Sequence, residues 1–129
     1  MPCNPVFHAE GKPANSVANL ILYQKFADFL IWYEPIVERF PSSQKPALCA
    51  ATKNTCYRII RMIIMTNRQR NKLPGWYEID TELEVLRFHI RHAYKRRYLS
   101  KKGYEVAARK IVEVGKILGG LINPKPKGG

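Results

Sequence analysis

Residues 76–98 read WYEIDTELEVLRFHIRHAYKRRY, and the fold turns on how the apolar positions in this run are spaced. Trp76, Ile79, Leu83, Leu86, Ile90 and Ala93 step by three or four residues, the repeat that keeps side chains on one face of an α-helix. The spacing therefore predicts a helix with a single buried seam. Glu78, Asp80, Glu82 and Glu84 open it, where carboxylates meet the positive end of the helix dipole. The second half inverts the charge. Arg87, Arg91, Lys95, Arg96 and Arg97 fall close together with no acid among them. Like charges four apart destabilise an isolated helix by a few tenths, roughly 0.2–0.5 kcal/mol per pair.

Outward from this run the same repeat recurs three times. Leu22, Phe26, Phe29, Tyr33, Ile36 and Phe40 share one stripe, which predicts a helix over 16–40 with Pro35 kinking it or loosening a turn. Leu48, Thr52, Thr55, Ile59 and Met62, flanked by Cys49, Cys56, Ile60 and Ile63, predict a second over 46–70, with Pro46 in its first turn. Asn71 to Gly75, containing Pro74, reads as the turn into the third helix over 76–98. Ser100 suits an N-cap for a fourth over 101–122, in which Tyr104, Ala107, Ile111, Val114, Leu118 and Leu121 form the seam. Gly115 and Gly119 lie four apart there, and mid-helix glycine implies close approach of a neighbouring helix. No run alternates as a strand does. With short connections the expectation is all-α: an up-down antiparallel four-helix bundle over 16–122. Residues 1–15 read as a flexible arm and 123–129 as a flexible basic tail.

The chain has 129 residues, 46% of them hydrophobic, enough for one domain with a real core. Its net charge of +12 is uneven. Residues 1–65 hold seven Lys and Arg against four Asp and Glu, whereas 66–129 hold fifteen against six. Such a balance favours a polyanionic partner. The three cysteines Cys3, Cys49 and Cys56 show no framework spacing, and two turns of helix hold the latter pair about 10 Å apart, too far to bridge. They read as reduced thiols in a cytoplasmic protein. Neither a secretory signal nor a run of about 20 apolar residues is evident, so no membrane role is expected.

The arginine-rich cluster suits phosphate, because guanidinium presents a planar fork of donors. The nucleic-acid-binding candidates are Arg87, Arg91, Lys95, Arg96 and Arg97, with Arg58, Arg61, Arg68 and Arg70 on the second helix and Arg109, Lys110 and Lys116 on the fourth. For any one of these a solvated surface charge is the competing explanation. Phe88, Tyr94 and Tyr98 either stack on bases or serve as core and subunit contacts. No recognition-helix, zinc-finger or RRM signature supports base-specific reading. His89 and His92 share a face but lack a third ligand, so an ordinary histidine pair is expected, with no metal site and no cofactor. No phosphate-cradling glycine loop or Ser/Cys–His pattern points to an enzyme.

Two segments resemble a known family. LEVLRFHIR at 83–91 and IVEVGKILG at 111–119 are similar to the accessory variability determinant protein (Avd) of diversity-generating retroelements. The shared cores are LRF followed two residues later by Arg, and EVG-basic-ILG. A looser likeness runs through Tyr33, Pro35 and Ile36. The chain is also similar to the wider four-helix-bundle family that includes a protein encoded in intervening sequences of ribosomal RNA genes. The resemblance implies a bundle assembled into a barrel-shaped homopentamer with a basic surface and no catalytic activity. It further implies a reverse transcriptase partner, binding of template RNA and of RNA/DNA hybrid, and a role in mutagenic retrohoming. Arg87 and Arg91 fall on motif positions tied to the basic surface, whereas Lys95, Arg96 and Arg97 rest on charge alone. His89 and His92 depart from the aromatic or apolar residues expected there. The alternatives are a ribosomal-RNA-associated bundle without a polymerase partner, or a scaffold for an acidic protein.

Overall fold

A computed structural model describes residues 16–124. The arm expected over 1–15, with Cys3, and all but the first two positions of the expected tail lie outside the described residues. Four long helices account for most of the rest: α1 (Ser16–Glu38), α2 (Ala50–Asn67), α3 (Leu73–Lys95) and α4 (Lys101–Ile122). No strand occurs among the described residues. Each helix packs on two others, α1 on α2 and α4, α3 on α2 and α4, in the closed order of a four-helix bundle.

The seams of α3 and α4 lie where the periodicity puts them. Trp76, Ile79, Leu83, Leu86, Ile90 and Ala93 are all buried, as are Ala107, Ile111, Val114, Leu118 and Leu121, with Tyr104 half-buried. On α1 the stripe ends differently. Val37, four residues after buried Tyr33, enters the core, and Ile36 stays half-buried. Pro35 lies inside the last turn and the helix continues through it to Glu38. On α2 the buried face carries Thr52, Thr55, Cys56, Ile59, Ile63 and Thr66, while Met62 and Ile60 sit at its edge.

The ends depart from the sequence expectation for identifiable reasons. α1 stops at Glu38 because the next two amides turn back to Ile36 and Val37 carbonyls at 3.0 Å, a tighter winding that Pro41 then breaks. The chain into α2 is not plain α-helix. A short 3₁₀ turn at Ser42–Gln44 leads into a π-turn at Lys45–Cys49 that holds Pro46. α2 itself closes at Asn67, and its last carbonyls are taken by the Arg68 and Gln69 amides. α3 begins at Leu73, three residues before the expected Trp76, because Pro74 occupies the first turn, where a missing N–H removes no helical bond.

The end of α3 is decided by one residue. Arg97 has φ 65°, the left-handed conformation that glycine usually supplies at this place. Its amide bonds the Tyr94 carbonyl, and the Tyr98 amide bonds the Ala93 carbonyl, both at 2.9 Å. That pairing is a Schellman motif and stops the helix three residues before Tyr98. Ser100 then caps α4 as its sequence position suggests, its Oγ accepting from the Gly103 amide at 2.9 Å.

Candidate nucleic-acid interface

Carboxylates are unevenly distributed over the bundle, and this decides where positive charge is available. On the α1–α2 side, Lys53 pairs with Glu38 at 2.8 Å and lies 4.0 Å from Glu34. Lys45 donates to the Glu38 carbonyl and Tyr57 to Glu34. The Lys53 hydrogen bond and charge hold the Glu38 carboxyl below its usual pKa. Lys25 reaches Glu113 at 3.6 Å between α1 and α4. Between α2 and α3, Arg58 Nη1 meets Glu82 Oε1 at 3.0 Å.

From Val85 to Tyr104 the chain has no acid and seven cations. This stretch forms the second half of α3, the link, and the first turn of α4. Of the seven, Arg87 alone has a carboxylate partner among the described residues, Glu84, one turn back on its own helix. Arg91, Lys95, Arg96, Arg97, Lys101 and Lys102 are exposed and make no ion pair among the described residues. Arg96 lies over the Tyr98 ring, 5.9 Å from its centroid. Arg61, Arg68, Arg70, Arg109 and Lys116 are also exposed and unpaired among the described residues, while Lys110 rests 5.4 Å over the Trp32 ring.

The twelve sequence candidates do not form one patch. Arg68 and Arg70 follow α2 and lead into α3, whereas Arg96 and Arg97 follow the far end of α3, about 34 Å away for 23 residues of helix. Arg58 and Arg61 line a hollow between α2 and α3 that Glu78 and Glu82 share. Lys95 and Arg97 do come together around one hollow, and the structure adds Lys101 there, with Lys102 next in the chain. These two open α4 at the positive end of its dipole, with no acid in the first turn. Cations there run against the usual helix preference, and that is the signal by which sequence reading alone would have included them.

Arg87 is a seated residue. A Cβ at Gly115 would lie 2.7 Å from Arg87 Nη2 and 3.9 Å from a Leu83 methyl, so the glycine makes room for the guanidinium. Gly119 differs: nothing stands within 4 Å of a Cβ there, and since the neighbours at Gly115 are side-chain atoms, the close backbone contact expected at the two glycines occurs at neither.

The aromatics divide. Tyr94 stacks on Tyr104 at 4.4 Å across α3 and α4, and Tyr98 packs on Phe40 at 5.9 Å, so both are half-buried structural contacts. Phe88 is 54% exposed and stacks on His92 at 5.6 Å. His89 is half-buried, its Nε2 lying 3.3 Å from Thr55 Oγ1. Burial, and then the neighbouring His92, lowers the His89 pKa below its ordinary value. No group of three or more His, Cys, Asp or Glu side chains among the described residues is placed to hold a metal. Cys49 and Cys56 are free and buried. Burial, and then Glu34, pushes the Cys56 thiol up to about 12, which leaves it a small apolar group.

A family model described as bAvd-like matches residues 20–124, nearly the whole described bundle. The chain belongs to this family. No curated protein matches it. The bAvd-like match spans all four helices and includes both segments whose motifs carried the sequence resemblance, together with the acid-free run. No helix of this bAvd-like chain, among the described residues, is long and apolar enough to cross a membrane.

Proposed function

We propose that the protein is an accessory subunit of a diversity-generating retroelement that binds nucleic acid without catalysing a reaction. It holds template RNA, or the RNA/DNA hybrid made from it, beside a reverse transcriptase in the cytoplasm. Membership of the bAvd-like family supports the retroelement role. The observation that carries the nucleic-acid role is the exposed, unpaired cation cluster of Arg91, Lys95, Arg96, Arg97, Lys101 and Lys102. A homopentamer completes the reading. Its support is exposed apolar area on several faces, with Val17 62%, Ile31 72%, Tyr77 53% and Phe88 54% exposed.

Arg97 supplies a sharp test. A non-glycine residue in the left-handed region costs roughly 1–2 kcal/mol, and Arg97 keeps its cation there regardless. Backbone strain of this kind gathers at functional sites. Arg97→Gly is therefore expected to stabilise the fold by about 1 kcal/mol in a urea titration while weakening RNA binding severalfold. Stabilisation with unchanged RNA affinity would remove Arg97 from the interface.

The partner is tested by affinity purification from cells that express the retroelement's reverse transcriptase. The transcriptase is expected to remain bound after nuclease treatment, and the protein purified without it to sediment near five times the 14.9 kDa chain mass. Loss of the transcriptase with retention of RNA would favour a ribosomal-RNA-type bundle. Loss of both, with an acidic protein retained, would favour a scaffold.

A further inference from the structure

A phosphate track explains the exposed cations but leaves a groove between α3 and α4 unused. The groove has a volume of about 110 Å³ and runs between Arg87 and Arg91 on one helix and Tyr104, Ala108 and Val112 on the other. Its floor is Ile90 and Ile111, which are 2% and 1% exposed, whereas Arg91 and Val112 are exposed at the rim. No carboxylate lines it. The α2–α3 hollow is the contrast, since Glu78 and Glu82 line it and Glu82 already pairs with Arg58.

Size and chemistry narrow the occupant. At about 30 Å³ of liquid volume per water, the groove equals roughly four waters, far below the 300 Å³ or so at which drug-sized pockets begin. One planar ring system suits it. An apolar floor is a poor seat for a bare phosphate, which loses its hydration there without replacement bonds. Arg91 on the α3 rim, however, is an exposed cation, so the ring should carry an anionic group on that side. A nucleobase with its flanking phosphates meets both demands. Bases inside a duplex are stacked and paired, so an unpaired strand is required.

A second hollow lies across a pair of stacked tyrosines from the groove. Tyr104 lines the groove, its stacking partner Tyr94 lines a hollow of about 460 Å³, and that hollow has Lys95, Arg97, Ser100 and Lys101 around it and no acid. The tyrosine pair is thus a shared wall between an apolar slot and a cationic basin. We infer that the α3–α4 groove takes one unstacked base of a single-stranded nucleic acid, with one flanking phosphate on Arg91 and the next in the Lys95–Arg97–Lys101 basin. This rests on the nucleic-acid reading above and adds strand form and base insertion to it. Arg87, paired with Glu84 and lying over Gly115, forms one wall of the slot.

The test compares a short single-stranded RNA with an abasic oligonucleotide of equal length and phosphate count, using fluorescence anisotropy with full-length protein. The intact strand is expected to bind roughly tenfold tighter, the scale of one base–aromatic contact, with the same salt slope. Ala108→Leu, which fills the slot and changes no charge, is expected to erase that preference while leaving abasic binding intact. Should circular dichroism show that A108L does not fold, Val112→Phe at the exposed rim is the second filler, with the same expectation. A free nucleoside monophosphate is expected not to displace the strand, and displacement would reassign the slot to a small nucleotide. Equal binding of intact and abasic strands, with Arg91→Ala still weakening both, would overturn base insertion and leave the phosphate track standing. A preference that survives the filled slot would move the contact elsewhere, Phe88 being next. Failure of Arg91→Ala to weaken either strand would overturn both readings.

Discussion

Replacing Arg91, Lys95, Arg96 and Arg97 together with alanine is expected to lower single-stranded RNA affinity by between two and three powers of ten at about 0.1 M salt. The size follows from counterion release. Each neutralised phosphate adds about 0.7 to the salt slope for a single strand, so four lost contacts lower that slope by about 3. The loss should shrink as salt rises and vanish near 1 M, which separates lost charge from a damaged fold. Nothing in the structure predicts damage. All four side chains are exposed and none pairs with a carboxylate among the described residues, so helicity should be unchanged. Removing Arg97 also relieves little strain, since alanine inherits the same left-handed φ. The matched control is Arg58→Ala with Arg61→Ala, two cations in a hollow shared with Glu78 and Glu82, for which the slope should barely move. A logarithmic loss in this double variant about half that of the quadruple one, in proportion to the two and four charges removed, would mean that net charge, and no particular surface, governs binding.

What could be read from sequence and what could not divide along one physical line. Apolar periodicity reports burial directly, so the α3 and α4 seams were legible residue by residue. It failed at Ile36 against Val37, where the residue four beyond Tyr33 enters the core and the residue three beyond does not. Element ends were less legible because they depend on single backbone conformations. Pro74 suits a turn and the first turn of a helix equally well, and nothing in a sequence announces an arginine at φ 65°. The cation cluster was visible as composition. Its accessibility was not, because ion pairing depends on which helices are neighbours: Arg58 finds Glu82 on the next helix, 24 residues away in sequence. The groove was illegible altogether, since it exists only where Arg87 and Arg91 of α3 face Tyr104, Ala108 and Val112 of α4.

Phe29→Ala is expected to destabilise the bundle by about 3–5 kcal/mol, the range for truncating a buried aromatic. Phe29 is 1% exposed and stands at the centre of the α1 aromatic cluster. Its ring lies 5.7 Å from Phe26, 6.2 Å from Trp32 and 5.1 Å from Tyr33, the last in a stacked arrangement. Alanine removes all three contacts and leaves a cavity that helices of fixed backbone fill only in part. Chemical denaturation reads the loss directly, and the thermal midpoint should fall by roughly 10–25 °C for a domain of this size. Phe29→Leu keeps most of the volume and forfeits chiefly the ring–ring terms, about 0.5–1.5 kcal/mol each, so it should fall between wild type and alanine. The two variants also bear on function. Net charge is untouched in both, so a partly unfolded Phe29→Ala chain should still bind RNA weakly and with steep salt dependence. The preference for an intact over an abasic strand needs α3 and α4 held at a fixed separation, and should disappear with the fold. A Phe29→Ala chain that unfolds yet keeps that preference would show that base discrimination comes from flexible cationic chain, with no built slot required.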